Sequence, residues 1–304
     1  MACLEAKITG TQHIYMLAKA VHFKELAICT VTSDGIKLSV EDSGCLQAFA
    51  YLQRELFHQY TFKPPSHGGE AYIFGVNLSV LVLFLSPLNI VEHGGRSSME
   101  GGSRRSTLGG GGGSGGIGLR TGHALLPSGP SNSLIIRLQE NEDLNLILEE
   151  NGVVMTCQLQ GIEMDEQPYF DINQSSLCYK VIMKANWLRD ALIQAIDVCD
   201  LATITASTEP AFLNISAEGI TGSIEANFNA HVDVVESFSS VAYTRCRYRS
   251  NHLKTALEAL SLADKASIRS NEDGLLGLQM MISCEYTGRT AYVEFRLLPV
   301  VEHH

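Results

Sequence analysis

The sequence predicts an α+β fold made of two tandem, repeated domains, each with two short helices on a mostly antiparallel sheet. Residues spaced 175 positions apart match in two separate stretches of the chain. An internal repeat of this length indicates one structural unit used twice. In both halves, a short amphipathic helix, alternating strands, a second helix and a closing hairpin also follow in the same order. The matching pairs are Leu17 and Leu192, Ala20 and Ala195, Val21 and Ile196, Ala27 and Ala202, Leu38 and Leu213, Val40 and Ile215, Gly44 and Gly219, Leu78 and Leu253, Val82 and Leu257, and Leu85 and Leu260.

The first predicted unit begins with a helix over residues 15–23, where apolar side chains recur at helical spacing. Alternating strands then flank a turn at Ser33-Asp34-Gly35, and Asn77 stands at the N-cap of a second short helix. The unit closes with a hairpin around Asn151-Gly152, a dipeptide typical of tight turns. The predicted strands cover 27–31, 36–40, 46–52, 144–149 and 153–159, and the second helix covers 77–85.

The second predicted unit repeats this order. A helix over 187–198 precedes two strands that flank Thr208-Glu209-Pro210, and Asn251 stands near the N-cap of a second helix. A hairpin around Thr287-Gly288 closes the unit. The predicted strands cover 202–206, 211–215, 221–228, 278–286 and 291–298, and the second helix covers 252–260.

One segment interrupts the first unit. Residues 94–133 hold 14 of the 27 glycines, together with four scattered arginines. Glycine-rich and serine-rich sequence cannot bury enough apolar area to offset chain entropy, so we predict a disordered insertion. A tolerated surface loop is the favoured interpretation, and arginines that contact nucleic acid or a partner are the alternative. The run lacks the strand before it and the Gly-Lys-Ser/Thr after it that a phosphate-binding loop requires.

The acidic segment 161–176, which contains a proline, lies where the first unit ends. It is predicted to be an interdomain connector. The predicted domains are therefore residues 1–160, with the insertion inside them, and residues 177–304. The connector contains Tyr169, Phe170 and Ile172. We favour the interpretation that these side chains anchor the connector to its own chain over the alternative that they bind a ligand.

Composition limits the possible functions. The chain has 304 residues, 45% of them hydrophobic, which suffices for two ordinary cores. Its net charge of −11 argues against binding nucleic acid by overall attraction, so any such role requires a local basic face. The eight cysteines are scattered without a C-x-x-C pair, and no metal, cofactor or catalytic site is predicted. No apolar run is long enough to span a bilayer, so we expect no membrane role.

Several segments, taken in order, carry a family resemblance. They are 19–29 (KAVHFKELAIC), 34–42 (DGIKLSVED), 45–48 (CLQA), 77–81 (NLSVL), 148–157 (LEENGVVMTC) and 292–295 (YVEF). With the two-unit plan and the acidic connector, they resemble the eukaryotic sliding clamps of the PCNA-like type. The likeness is greatest to the Rad-one family, whose members are subunits of the nine-one-one DNA-damage checkpoint clamp. It covers nearly the whole chain except residues 94–133.

The resemblance implies the DNA-clamp fold and a non-catalytic role in the nucleus. The chain would form a heterotrimeric ring with two related clamp subunits, encircle double-stranded DNA at damage sites after action of the checkpoint clamp loader, and recruit checkpoint and repair proteins. In clamps the helices line the channel, which implies six DNA-facing residues. The alternative is that each is an ordinary solvated charge. They are Lys19, His22, Lys24, Lys184, Arg189 and Lys254.

Two other functions remain open at this point. A replicative-type homotrimeric clamp shares the same plan, and self-trimerisation of the purified chain would distinguish it. A 3′ to 5′ exonuclease is the enzymatic alternative, because the family has been credited with that activity. Metal-dependent cleavage requires carboxylates that converge on metal ions. The acidic pairs, which lie in predicted turns and the connector without visible convergence, are Glu41-Asp42, Glu142-Asp143, Glu149-Glu150 and Asp165-Glu166.

Overall fold

The computed structural model describes residues 2–66, 68–86, 132–140, 143–150, 152–164, 169–284 and 288–301. Most of the predicted insertion, residues 94–131, lies outside these ranges. Its predicted end at Ser133 is wrong, because Asn132–Gln139 forms a strand. The Asn132 side chain fixes the start of that strand: its Oδ1 accepts from the Thr11 amide at 3.2 Å, and its Nδ2 donates to Thr11 Oγ1 at 3.0 Å.

Each half of the chain begins with a strand and a helix and ends with three strands. The repeated order of helix, strands, second helix and closing hairpin agrees with the prediction, whereas the strand before each first helix was not predicted. The elements of the first half are β1 (Ala2–Thr9), α1 (Gln12–Ala20), β2 (Leu26–Thr32), β3 (Gly35–Asp42), β4 (Leu46–Gln53), a 3-10 turn (Arg54–Leu56), β5 (Gln59–Phe62), β6 (Tyr72–Asn77), α2 (Leu78–Leu85), β7 (Asn132–Gln139), β8 (Leu144–Glu150) and β9 (Val153–Leu159).

The second half has the matching elements. They are β10 (Leu177–Lys184), α3 (Ala185–Val198), β11 (Leu201–Thr208), β12 (Ala211–Gly219), β13 (Gly222–Asn229), β14 (Val235–Ser240), β15 (Thr244–Arg249), α4 (Ser250–Thr255), α5 (Leu257–Leu262), β16 (Lys265–Asn271), β17 (Leu276–Cys284) and β18 (Arg289–Leu297). The domain boundaries at residues 160 and 177 stay predictions, although β9 ends at Leu159 and β10 begins at Leu177.

The strands pair in the same pattern twice. One sheet has the order β5-β1-β7-β8-β9, and the corresponding strands of the second half run β14-β10-β16-β17-β18. Likewise β6-β2-β3-β4 corresponds to β15-β11-β12-β13. The halves differ in that β18 pairs with β4, with Phe295 opposite Ala48. This pairing joins the β14-β10-β16-β17-β18 set of the second half to the β4-β3-β2-β6 set of the first half in one nine-stranded sheet. We call the β18–β4 pairing the internal junction.

Alternation of apolar side chains along the strands builds the core. In β2 the side chains of Ala27, Cys29 and Val31 are buried, while the residues between them are half-buried. The helices cover this buried face: α1 packs against β4, and α3 packs against β12 and β13. The amphipathic pattern that predicted these helices therefore corresponds to a real buried stripe, which in α1 includes Ile14 and Leu17.

Several predicted boundaries are wrong. The first helix covers Gln12–Ala20 rather than 15–23, because the Tyr15 amide already donates to the Thr11 carbonyl and the chain turns at Val21. The predicted helix over 252–260 is divided into α4 and α5 at Ala256, whose amide donates to Leu253 in a tighter i to i−3 turn.

The predicted caps and turns have mixed outcomes. Asn77 is the N-cap of α2, and its Oδ1 accepts from the Val80 amide at 2.9 Å, as predicted. Asn251 is not a cap, because Arg249 occupies the N-cap of α4. In the hairpin turns, Gly152 and Gly288 have φ values of 79° and 64°, which favour glycine. The residues before them, Asn151 and Thr287, lie outside the described part of the chain.

Candidate functional site

The helices of both halves form one layer on the sheets. Helix α1 contacts α2 in its own half and α5 in the other, while α3 contacts α4 and α5. The internal junction thus brings helices from the two ends of the sequence together. The predicted DNA-facing residues lie on these helices or directly beside them.

Two of the predicted cations are paired with carboxylates on other elements of the fold. Lys19 Nζ on α1 lies 2.9 Å from Glu258 Oε1 on α5, and this hydrogen bond raises the pKa of Lys19. Lys24 Nζ, after α1, lies 2.7 Å from Asp42 Oδ1 at the end of β3, which lowers the pKa of Asp42. Both lysine side chains are 47% exposed, so they remain accessible although each has a neutralising partner.

The other four predicted residues are arranged differently. Arg189 on α3 pairs with the adjacent Asp190 at 2.9 Å. His22 Nε2 lies 2.8 Å from Ser79 Oγ on α2. Lys184, the last residue of β10, and Lys254 on α4 are exposed. The six residues therefore share the helix layer, but three of the five lysines and arginines among them carry a carboxylate partner.

Sequence reasoning missed a row of arginines on β15. Arg245, Arg247 and Arg249 are exposed and alternate with Tyr248, which is fully buried. Successive strand residues point to opposite faces of a sheet, so Arg245 and Arg247 lie on the face opposite to buried Tyr248. The alternating pattern of the β15 sequence, TRCRYR, could have indicated this row.

The connector is anchored to buried residues of the nine-stranded sheet, on strands β4 and β18. The Phe170 amide donates to Gln47 Oε1 at 3.0 Å, and Arg296 Nη1 donates to the Phe170 carbonyl. The Arg296 guanidinium lies 4.8 Å from the ring centroids of both Phe49 and Tyr169. Ile172 is buried next to Gly277. These contacts support the self-anchoring interpretation of the connector residues.

Arg296 also belongs to a buried charge cluster. Its Nε lies 2.9 Å from Glu294 Oε1, which Arg269 Nη2 contacts at 3.2 Å. The side chains of Glu294 and Arg296 are 5% and 7% exposed. Burial opposes the charged form of Arg296, but the Glu294 carboxylate and the Tyr169 hydroxyl raise its pKa. The connector therefore rests on a buried arginine–carboxylate contact.

Strands β9 and β13 are two of the six sheet-edge strands within the described residues, the others being β5, β6, β14 and β15. The repeat makes β9 and β13 the counterparts of β18 and β4, which pair with each other at the internal junction. In β18 and β4 the side chains that face the helices are buried, whereas Met155 and Cys157 of β9 and Ile224 and Ala226 of β13 are only half-buried. Both edges thus carry apolar rows that the isolated chain leaves partly open.

Within the described residues, no group of three or more His, Cys, Asp or Glu side chains is placed to hold a metal ion. The described residues therefore provide no metal site that would support the exonuclease hypothesis. Glu142, Asp165 and Glu166 lie outside the described residues. Among the helices described, none is long and apolar enough to cross a membrane.

Comparison with known proteins shows the family and the fold. The family model described as "Repair protein Rad1/Rec1/Rad17" matches residues 3–282. Cell cycle checkpoint protein RAD1 of Mus musculus is 29% identical over 302 residues, which cover 98% of this chain and 92% of the relative. The Homo sapiens protein of that name is 29% identical over 97% of this chain and 91% of its own length.

Two further matches are consistent with this family and this fold. DNA damage checkpoint control protein rad1 of Schizosaccharomyces pombe is 28% identical over 97% of this chain and 86% of its own length. The crystal structure of PCNA from Thermococcus kodakaraensis superposes with a TM-score of 0.69 over 98% of this chain and 100% of that chain. At 18% identity, the latter match shows the clamp fold alone.

Proposed function

The chain belongs to the Rad1/Rec1/Rad17 repair-protein family, and we propose that this checkpoint-clamp subunit forms one third of a heterotrimeric ring that encircles DNA at damage sites. The role is non-catalytic. The ring is a platform that recruits checkpoint and repair proteins, and a dedicated checkpoint clamp loader places it on DNA. The names of the relatives, which refer to cell-cycle and DNA-damage checkpoints, support a nuclear location.

The internal junction is the observation that carries this proposal. In it, the end strand of the second repeat, β18, pairs with the end strand of the first repeat, β4. In the part of the chain that the structure describes, the corresponding strands β9 and β13 each have one side without a neighbouring strand. If each joins a related subunit in the same way, one strand pairing follows another until the ring closes. Pairing also protects edges that would otherwise favour aggregation.

The helix layer supplies the inner wall in this proposal. The six predicted residues face the duplex, and their contacts with phosphates are weak because Lys19, Lys24 and Arg189 already have carboxylate partners. Weak contacts suit a ring, since a closed ring is held on DNA by its topology. An overall charge of −11 is compatible with this arrangement, because only the inner wall needs local positive charge.

Light scattering of the purified chain, alone and mixed with its two related subunits, tests the proposal. We expect a monomer of 33.1 kDa alone and a 1:1:1 complex in the mixture. On a circular duplex the complex should be retained after loading, and it should be lost when the circle is cut. A chain that trimerises alone would support the replicative-type homotrimer, and a chain that never assembles would contradict both ring models.

A further inference from the structure

Strand β15 carries exposed arginines on the sheet face that the helices leave open. Antiparallel pairing places Arg245 opposite Thr205 of β11, and Arg247 opposite Thr203. Directly opposite residues share one face of a sheet, and the buried Tyr248 points to the other face, toward the core. The arginines therefore lie outside the helix layer and outside the proposed inner wall.

Arg245 and Arg247 line a cavity of about 660 Å³, here called the β15 cavity. Its other lining residues include Leu201, Thr203, Glu218, Pro299 and Val300. Residues 299–301 form a tail after β18, and the Val300 amide donates to the Arg247 carbonyl at 2.8 Å. This hydrogen bond fixes the tail as one wall of the cavity.

The repeat provides an internal comparison for β15. Its counterpart in the first half is β6, and the helix N-caps that end these strands, Asn77 and Arg249, are 172 positions apart. The same spacing relates Gly75 to Arg247. Each of these two residues bonds the segment that follows the last strand of its half, since Gly75 bonds the connector and Arg247 bonds the tail. Two independent features therefore support this alignment of the two strands.

The first half has no arginine at the three corresponding positions. These positions hold Ile73, Gly75 and Asn77. Strand β6 still pairs with β2 along its length, as β15 pairs with β11. Strand pairing thus does not explain the three arginines of β15.

Two of these arginines have no acidic partner among the residues that the structure describes. Arg245 and Arg249 make no ion pair there, whereas Arg137 and Arg189 are paired with carboxylates at 3.1 and 2.9 Å. On the same sheet face, the Glu225 carboxylate already accepts a hydrogen bond from an asparagine of β12 at 2.8 Å. An arginine without a carboxylate partner is a strong donor to an anion from solution.

The lining of the cavity favours a phosphorylated peptide. Arg245 and Arg247 are two residues apart on one strand, a spacing of roughly 7 Å, so both guanidinium forks can close on one phosphoryl group with its three acceptor oxygens. A carboxylate offers only two oxygens. Glu218 in the same cavity would repel the continuous phosphates of a nucleic acid, but it would attract a basic side chain of a peptide. Pro299 and Val300 offer apolar contact to the peptide.

We propose that the β15 cavity binds a peptide that is phosphorylated on serine or threonine and has a basic residue close to the phosphoryl group. Arg245 and Arg247 bind the phosphoryl oxygens, and Glu218 binds the basic side chain. All of these residues belong to one chain, so the inference does not depend on ring assembly. It assigns to this chain a surface through which a phosphorylated partner is recruited.

Peptide selection on the purified full chain tests the proposal. One library contains nine-residue peptides with a central phosphoserine or phosphothreonine and random flanks, and a second library lacks the phosphoryl group. We expect selection from the phosphorylated library alone, with Lys or Arg enriched in the flanks. In fluorescence anisotropy, a selected peptide should bind at least about tenfold more weakly without its phosphoryl group or with Asp in its place. Selection from neither library would overturn the proposal, as would equal binding of the Asp peptide or of a nine-nucleotide oligothymidylate.

Substitutions connect this binding to the cavity. Arg245→Gln should weaken binding of the selected peptide at least about tenfold, and Arg245→Lys should restore only part of it, because lysine keeps the charge but lacks the guanidinium fork. Arg137→Gln is the matched control, since Arg137 is an exposed arginine on β7. Thermal unfolding of each variant should match the parent, which shows that the fold is intact. Equal effects of Arg245→Gln and Arg137→Gln would place the peptide elsewhere and overturn the assignment.

Glu218→Gln tests the orientation of the peptide. The variant should lose the preference for Lys or Arg in the flanks, while its binding still requires the phosphoryl group. A preference that stayed unchanged would contradict the role of Glu218 in the proposal.

Discussion

Lys19 and Glu258 form an ion pair of 2.9 Å that connects the first helix of the chain to its last. Both side chains are nearly half exposed, so the pair adds less than about 1 kcal/mol to stability. The larger effect of the pair is on local charge, because the Glu258 carboxylate neutralises the positive charge of Lys19, which faces the proposed channel. The proposed inner wall would therefore carry less positive charge than its lysines and arginines suggest.

Glu258→Gln should strengthen retention of the ring on DNA, because it frees the Lys19 charge. The salt concentration at which the ring slides from linear DNA should rise, while the free energy of unfolding stays within about 1 kcal/mol of the parent. Glu236→Gln is the matched control, since Glu236 pairs with Lys265 at 2.7 Å on the sheet rather than in the helix layer. Equal effects of the two variants would contradict a channel location for Lys19.

Replacing the five cationic channel residues together by Gln should weaken DNA retention without preventing ring assembly. Gln is preferable to Glu, because a new acid would repel Glu258 and Asp42. The slope of log affinity against log salt should decrease by about one for each phosphate interaction that the substitutions remove. The control replaces five exposed cations on or directly beside sheet strands in the same way. The channel set is Lys19, Lys24, Lys184, Arg189 and Lys254, and the control set is Lys7, Lys63, Arg137, Lys180 and Lys265. Similar retention by both variants would show that the channel set is ordinary surface charge.

Arg296→Met should loosen the connector and lower stability by about 1–3 kcal/mol, because the buried Glu294 carboxylate loses one of its two arginine partners. Urea denaturation measures the loss. Lys37→Met serves as the control: Lys37 lies 5.6 Å from the same Phe49 ring, so its replacement perturbs that ring and leaves both arginines on Glu294. A loss no greater than that of the control would mean that the Glu294 pair does not hold the connector.

Replacing residues 94–131 by a short Gly-Ser linker should leave the free energy of unfolding within about 1 kcal/mol, since loop-closure entropy depends weakly on length. Extending the replacement through Ser133 should cost more, because it removes the two hydrogen bonds between Asn132 and Thr11. Thermal unfolding of both variants checks this. Collapse of the shorter replacement would show that the segment is structural.

The sequence predicted the elements with strong local periodicity and missed several others. Strands β1 and β10 carry a visible alternation, such as Leu4, Ala6 and Ile8, but were not among the predicted strands. Strand β14, with the sequence VESFSS, is mostly polar and lies at a sheet edge, so its pairing with β10 decides its conformation. Tertiary context commonly overrides local preference in this way.

The candidate site was predictable only in part. The helical pattern indicated which cations lie on or beside helices, and the structure places them in one layer. Their partners were not predictable, because the contact of Lys19 with Glu258 depends on how the two halves join. The same holds for Arg296, whose ring contacts come from β4 and from the connector.

The unbroken sheet across the internal junction has a mechanical consequence. Six residue pairs link β18 to β4, and the side chains there that face the helices are buried, so strand pairing and packing join the two halves. The outer edges present half-buried Met155, Cys157, Ile224 and Ala226 instead. We therefore expect a ring that contains this chain to open for DNA at a seam between chains rather than at the internal junction.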